Sequence, residues 1–265
     1  MLSRAFRDRP ISPSLKLSVA DAIRVPNRLI GRICSSRSYA VDPRRGHFER
    51  CSLTLRGSER HFLVHVPKEY HERTKWPAVL FLHGAGERGQ DGYAPAAVGL
   101  GPALAAYPER YRAIVVIPQC RHARQWIGEE AEYAIAALQK VVDTMSLDEE
   151  RVAITGISMG GAGALLLASR FPERFRAVAS IAGWGDSTAL AAKLQRTPVW
   201  LFHGADDRIV PVTHSRLLKL AFDRCERQRV RYTEYPGLGH ASWDAAYGEL
   251  TLPGWLVGDP SAQPL

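Results

Sequence analysis

The sequence predicts an α/β fold, a mostly parallel central sheet covered by helices on both faces and preceded by an antiparallel hairpin. Three observations carry this. Short continuous apolar runs, Pro77 to Leu82 and Ala113 to Ile117, have the composition of strands buried on both faces. From residue 77 onward such runs alternate with helical segments, and strand, helix, strand repetition requires parallel pairing through crossovers. Finally, Arg151 to Arg170 runs from a β-favouring stretch through Gly156-Ile157-Ser158-Met159-Gly160-Gly161 straight into a small-residue, Leu-rich helix.

Taken in order, residues 1–45 are rich in Arg, Ser and Pro and hold only Asp8, Asp21 and Asp42 as acids. Their apolar residues are too dispersed for a core, so a basic, disordered leader is expected ahead of a folded domain over 46–260. Arg37-Ser38-Tyr39-Ala40 resembles a mitochondrial processing site, which leaves a transit peptide and a plain basic tail both open. The leader also explains the net charge of +8: residues 1–50 carry 11 Lys+Arg against 4 Asp+Glu, leaving 24 against 23 for the rest. A nearly neutral body with interspersed charges argues against a nucleic-acid partner. Cys34, Cys51, Cys120 and Cys225 form no C-x-x-C pair, so free thiols in a reducing compartment are expected, the cytoplasm or, with a processed leader, the mitochondrial matrix. No apolar run is long enough to span a bilayer, and no membrane partner is expected.

Phe48 to Leu55 and Arg60 to Val66 alternate on either side of Arg56-Gly57-Ser58 and read as the hairpin. Ala134, Leu138, Val141 and Met145 place one apolar stripe on a helix over 129–145. Strands are expected at 177–181, 198–202 and 230–235, with helices near 187–194 and 212–225; Leu250 to Val257 closes the domain.

In an open parallel sheet, functional loops lie beyond the carboxyl ends of the strands. Here those loops read HGAGERG (83–89), the turn carrying Ser158, HGADDRIVP (203–211) and GLGHASW (237–243). A bare G-x-S-x-G arises by chance in about one chain in ten of this length, so the serine alone decides nothing. A serine hydroxyl needs a base, and the base a carboxylate that fixes its tautomer. The later loops supply both on the same rim, in the order Ser158, Asp207, His240. Asp206 competes with Asp207 for the carboxylate role. His83 and His203 each end a strand before Gly and read as structural, and His61 and His65 have no carboxylate near enough for a metal site.

The LHGAGERG run, Pro118-Gln119-Cys120 with Trp126, GISMGG, HGADDRIVP and GHASWDAAY together make residues 47–257 resemble the α/β-hydrolase superfamily. The similarity is to its lidless serine esterases: polyhydroxybutyrate-depolymerase and feruloyl-esterase-like enzymes, predicted peptidases, and phospholipase/carboxylesterase-type relatives. The resemblance implies a serine carboxylesterase acting through an acyl-enzyme on a small-molecule or polymeric ester, with no cofactor and no metal. A serine peptidase on the same three residues is the alternative, and a non-catalytic binding module the remaining one. The family pattern selects Asp207 over Asp206. It implies oxyanion donors at the amides of Met159 and Ala85, with Gly86 as the other choice in that loop. Glu87 and Arg88 are expected to brace this loop as an ion pair, with contact between Arg88 and an acidic substrate group as the alternative. Trp126, Trp184 and Trp243 fall in rim loops and are expected around the substrate, Trp243 also positioning the histidine loop. The short stretch between Ile181 and Pro198 leaves no room for a cap domain.

Overall fold

The computed structural model describes residues 46–225 and 230–259. The expected leader, its processing motif and Cys34 lie outside the described residues. The strands are β1 (His47–Leu55), β2 (Ser58–Val66), β3 (Trp76–Leu82), β4 (Ile114–Pro118), β5 (Leu147–Ile157), β6 (Ala177–Ile181), β7 (Val199–Gly204) and β8 (Val230–Tyr235). The helices are α1 (Leu100–Ala106), α2 (Glu129–Thr144), α3 (Met159–Arg170), α4 (Ser187–Lys193), α5 (Thr213–Asp223), α6 (Trp243–Gly248) and α7 (Leu252–Val257). One sheet holds all these strands in the order β1-β2-β4-β3-β5-β6-β7-β8.

The hairpin pairs His47 with Val66 through Leu55 with Ser58, and β2 then runs antiparallel to β4. From β4 to β8 every pairing is parallel. This is the mostly parallel sheet expected from the alternation, in the α/β-hydrolase fold that the resemblance implies. Its strands bury both faces: every residue of β3, β4, β6 and β7 is buried. One face packs α2, α3, α4 and α5 through residues such as Leu138, Leu165, Leu190 and Leu218. The other packs α1, α6 and α7 through Leu104, Tyr247 and Leu256. Each fully buried side chain of this kind contributes roughly 1.5–3 kcal/mol relative to exposure. The sheet is therefore a rigid platform for what lies at its carboxyl rim.

α2 follows its stripe, with Ala134, Leu138 and Val141 buried, and carries Glu129, Glu130 and Glu132 in its first turn, where the helix dipole favours acids. Met145 falls just past its end. β5 begins earlier than the apolar pattern marks, at Leu147, with a register shift against β3 between Trp76 and Ala78. The closing stretch, read as one segment over 250–257, is preceded by a separate short helix, α6, which begins soon after His240.

Candidate active site

The turn between β5 and α3 is the tightest point of the rim. Ser158 stands at φ 52° and ψ −118°, a conformation that costs a non-glycine residue of order 1–3 kcal/mol. It is held by its amide donating to Ile181 O (2.8 Å) and its carbonyl accepting from Ala162 N (3.1 Å). A Cβ on Gly156 would lie 2.3 Å from Gly160 O, and one on Gly160 only 1.9 Å from Leu82 O. Both glycines are required because α3 starts in backbone contact with β3 and β5. The result is a half-buried hydroxyl raised over the sheet.

Ser158 Oγ is 2.9 Å from His240 Nε2, and His240 Nδ1 is 2.7 Å from Asp207 Oδ2. A carboxylate only accepts, so Nδ1 carries the hydrogen and Nε2 is free to accept from the serine. The other oxygen of Asp207, Oδ1, accepts the amides of Ile209 (2.8 Å) and Val210 (2.9 Å). Burial alone pushes this carboxyl up, but His240 and the two amides outweigh it and hold it below the ordinary range. Asp206 is exposed and donates its amide to Leu238 O (2.9 Å), tying the two loops together without joining the chain of side chains.

His203, read from sequence as a strand-end residue, also reaches Asp207. Its Nδ1 is 2.7 Å from Ser215 Oγ, and its Nε2 is 2.9 Å from Val210 O and 3.2 Å from Asp207 Oδ2. Burial lowers its pKa. A neutral ring donating from Nε2 to both oxygens and accepting from Ser215 satisfies every contact. His203 thus buttresses the carboxylate from beneath, a contact that its position four residues before Asp207 at a strand end was the only signal for.

The loop after β3 is clamped by the loop after β4. His83 is fully buried, and burial is the chief reason its pKa falls to about 4. As a neutral ring it donates from Nδ1 to Gly84 O (2.6 Å) and accepts at Nε2 from Cys120 N (2.9 Å). Its own carbonyl accepts from Trp126 Nε1 (3.0 Å). Gln119 spans the same gap, donating to Glu87 O (3.0 Å) and accepting from Gly92 N (2.6 Å). Ala85 opens a 3-10 turn over Ala85–Glu87 and is exposed. The expected Glu87–Arg88 ion pair is replaced by another brace: Arg88 donates to the carbonyls of Ala85 (2.8 Å) and Arg124 (3.3 Å), while Glu87 faces His83 at 4.0 Å. Burial pushes the nearby Cys120 thiol up to about 12, which leaves it inert as a nucleophile at neutral pH.

The three tryptophans separate. Trp126 does not stand at the rim; it is 1% exposed, because its indole N–H finds a buried carbonyl and its ring packs edge-on against His83, centroids 5.0 Å apart. A Cβ on Gly163 would lie 2.6 Å from Trp126 Cβ, so α3 rests directly on it. Trp184 is half-buried beside a cleft at the start of α4. Trp243 begins α6 and meets the His240 ring edge-on at 5.6 Å, which limits the tilt of the imidazole.

Residues 52–264 match the putative esterase family. The chain belongs to that family. Among its relatives of known name, it is 28% identical over 181 residues to feruloyl esterase D of Neurospora crassa, covering 65% of this chain and 62% of that one. It is 29% identical over 117 residues to acyl-protein thioesterase 1 of Gibberella zeae, covering 40% and 47% of the two chains. Among solved structures it resembles a thermostable esterase with a TM-score of 0.72 and 32% identity, over 79% of this chain and 62% of that one. The chain thus spans less than two thirds of the length of these relatives.

Proposed function

We propose that this chain is a serine hydrolase that cleaves carboxylic esters through an acyl-enzyme. The observation that carries the reading is the unbroken hydrogen-bonded chain from Asp207 through His240 to Ser158. His240 Nε2 takes the hydroxyl proton as Ser158 Oγ attacks the ester carbonyl, and Asp207 stabilises the imidazolium that forms. The proton passes from Nε2 to the departing alkoxide, which leaves as the alcohol. Water then gives a proton to His240 and attacks the acyl carbon. The acid leaves and the proton returns to Ser158.

The oxyanion of each tetrahedral intermediate is assigned to the amides of Met159 and Ala85. Met159 is the first residue of α3, where backbone N–H groups lack helical partners and favour negative charge. For Ala85 the support is geometric. The peptide between Gly84 and Ala85 is planar, so pinning its carbonyl to His83 Nδ1 aims its N–H away from that ring, into the rim. The Gly86 amide is anchored in the same way, the Ala85 carbonyl accepting from Arg88 Nε (2.8 Å), so Gly86 stays the other choice in that loop. Donors fixed before the reaction need no reorganisation when charge develops.

As substrates we favour small to medium carboxylic esters, including aryl or feruloyl-type, free or attached to a polymer. Residues 46–260 form the catalytic domain in this reading. A nearly neutral body gives no footprint for nucleic acid, and no helix among the described residues is long and apolar enough to cross a membrane. Among the described residues Cys120 and Cys225 are free thiols, which supports a reducing compartment, the cytoplasm or the mitochondrial matrix.

The test is a side-by-side rate panel of p-nitrophenyl acetate, methyl ferulate and aminoacyl p-nitroanilides. Esters are expected to turn over faster than anilides, because a poor amine leaving group needs protonation and a backbone subsite. Faster anilide turnover would establish the peptidase alternative instead.

A further inference from the structure

Beside the nucleophile turn, a cleft of about 250 Å³ lies between α3, α4 and the loop that carries Trp126. On α3 its wall is Met159, Ala162 and Leu166, at the spacing of one helix face; on α4 it is Leu190, with Trp184 just ahead of that helix. Trp126 closes the floor. Both helices follow parallel strands and therefore start at the carboxyl rim and descend from it. The cleft accordingly begins at the rim and ends lower down beside Ser169 and Lys193. From Met159 to Ser169 the helix rises roughly 15 Å at 1.5 Å per residue.

Two features connect this cleft to Ser158. Ala162 stands one turn beyond Ser158 and donates its amide to the Ser158 carbonyl. Met159, the residue directly after Ser158, lines the cleft together with Ala162, so the cleft opens at the nucleophile turn, within reach of a group bonded to Ser158 Oγ. The walls, moreover, are mainly apolar and built from both helices. Trp184 and Leu166 are only partly buried, whereas neighbouring Leu165 and Leu167 are fully enclosed.

We infer that this cleft is a subsite for the larger apolar substituent of the ester, a chain or single ring, and that Leu166 sets how far that substituent reaches. The inference rests on the esterase reading above and narrows it: the group is selected below the rim, along α3, rather than by aromatic residues standing around Ser158. The substituent enters either as the acyl group or as the alcohol. Each buried methylene is worth up to about fourfold in binding, so blocking three or four of them is expected to change chain-length preference by tenfold or more.

The test compares kcat/KM for p-nitrophenyl octanoate over p-nitrophenyl acetate, and for octyl acetate over methyl acetate, in wild type, Leu166→Trp and Leu166→Ala. Leu166→Trp is expected to lower one of these ratios at least tenfold, and which ratio falls identifies the acyl or alcohol side. Leu166→Ala is expected to move preference the other way, raising dodecanoate relative to octanoate, and it keeps the inference testable if the Trp variant does not fold. Unchanged ratios in both series would overturn it. Octanoate binding to Ser158→Ala, followed by tryptophan fluorescence, reads the cleft without chemistry. If wild type hydrolyses no ester yet Ser158→Ala binds octanoate and loses it on adding Leu166→Trp, the esterase reading fails while the apolar site stands; no binding and no chain-length effect reject the site.

Discussion

Asp207→Asn is expected to lower kcat by about 10⁴ while leaving the fold intact, the scale seen when the aspartate of such a chain is neutralised. The reason lies in the hydrogen on His240. Asp207 only accepts, so it holds the imidazole with its proton on Nδ1, 2.7 Å away, and leaves Nε2 free to accept from Ser158. A carboxamide in its place offers an N–H at the same point. The ring then turns its lone pair to that amide and its hydrogen to the serine, and the base is lost. The two backbone amides on Oδ1 survive on the carbonyl oxygen, so circular dichroism should not change. Asp206→Asn, at an exposed residue that contributes its backbone to the loop, should stay within a few-fold of wild type. If the two variants exchange these effects, the carboxylate assignment is wrong by one residue.

The largest effect on stability is expected away from the site. Glu130 is 2% exposed and accepts from Arg60 Nη2 (2.6 Å), Arg121 Nε (2.6 Å) and Arg121 N (3.2 Å), while Arg60 lies 3.6 Å above the Tyr133 ring. This cluster joins β2, the start of α2 and the loop that carries Gln119, Cys120 and Trp126 under His83. Glu130→Gln leaves a buried guanidinium without its counter-charge and should lower the unfolding free energy by about 3–5 kcal/mol, measured by urea denaturation. Burial pushes the Glu130 carboxyl up, but Arg60 and Arg121 more than offset it, so its folded pKa lies below the ordinary 4.5. Its contribution is therefore fully present above about pH 4.5 and lost as the pH falls through the depressed value. The gap between wild type and Glu130→Gln should narrow across that acid window and stay constant above it.

Much of this arrangement was legible in the residues, for reasons that can be stated. Strands buried on both faces announce themselves as continuous apolar runs, and β3, β4, β6 and β7 fall within a residue or two of the expected spans. The Ser158, Asp207 and His240 positions were legible because each follows a strand end on one rim, and the parallel order brings such ends together. What was missed depends on long-range packing. α1 and α6 are short helices, stabilised by the core face under them rather than by their own propensity. The first half of β5, Asp148 to Arg151, is polar and lies ahead of the β-favouring stretch, yet it continues the strand. Trp126 followed a rim loop in sequence, but a buried carbonyl 43 residues earlier draws its indole inward, which no local pattern encodes. His203 likewise found Asp207 through the fold of the turn between them. Arg88 chose carbonyls over its charged neighbour because the 3-10 turn aims Ala85 O at it.

The central claim is that Ser158 is the group that bonds to the substrate carbonyl carbon. Incubation with a fluorophosphonate, followed by intact mass measurement and peptide mapping, tests it most directly. One adduct per chain, located on Ser158, abolished in Ser158→Ala and paralleled by loss of ester turnover, is the predicted result. An adduct on any other residue, or ester turnover that survives in Ser158→Ala, would contradict it.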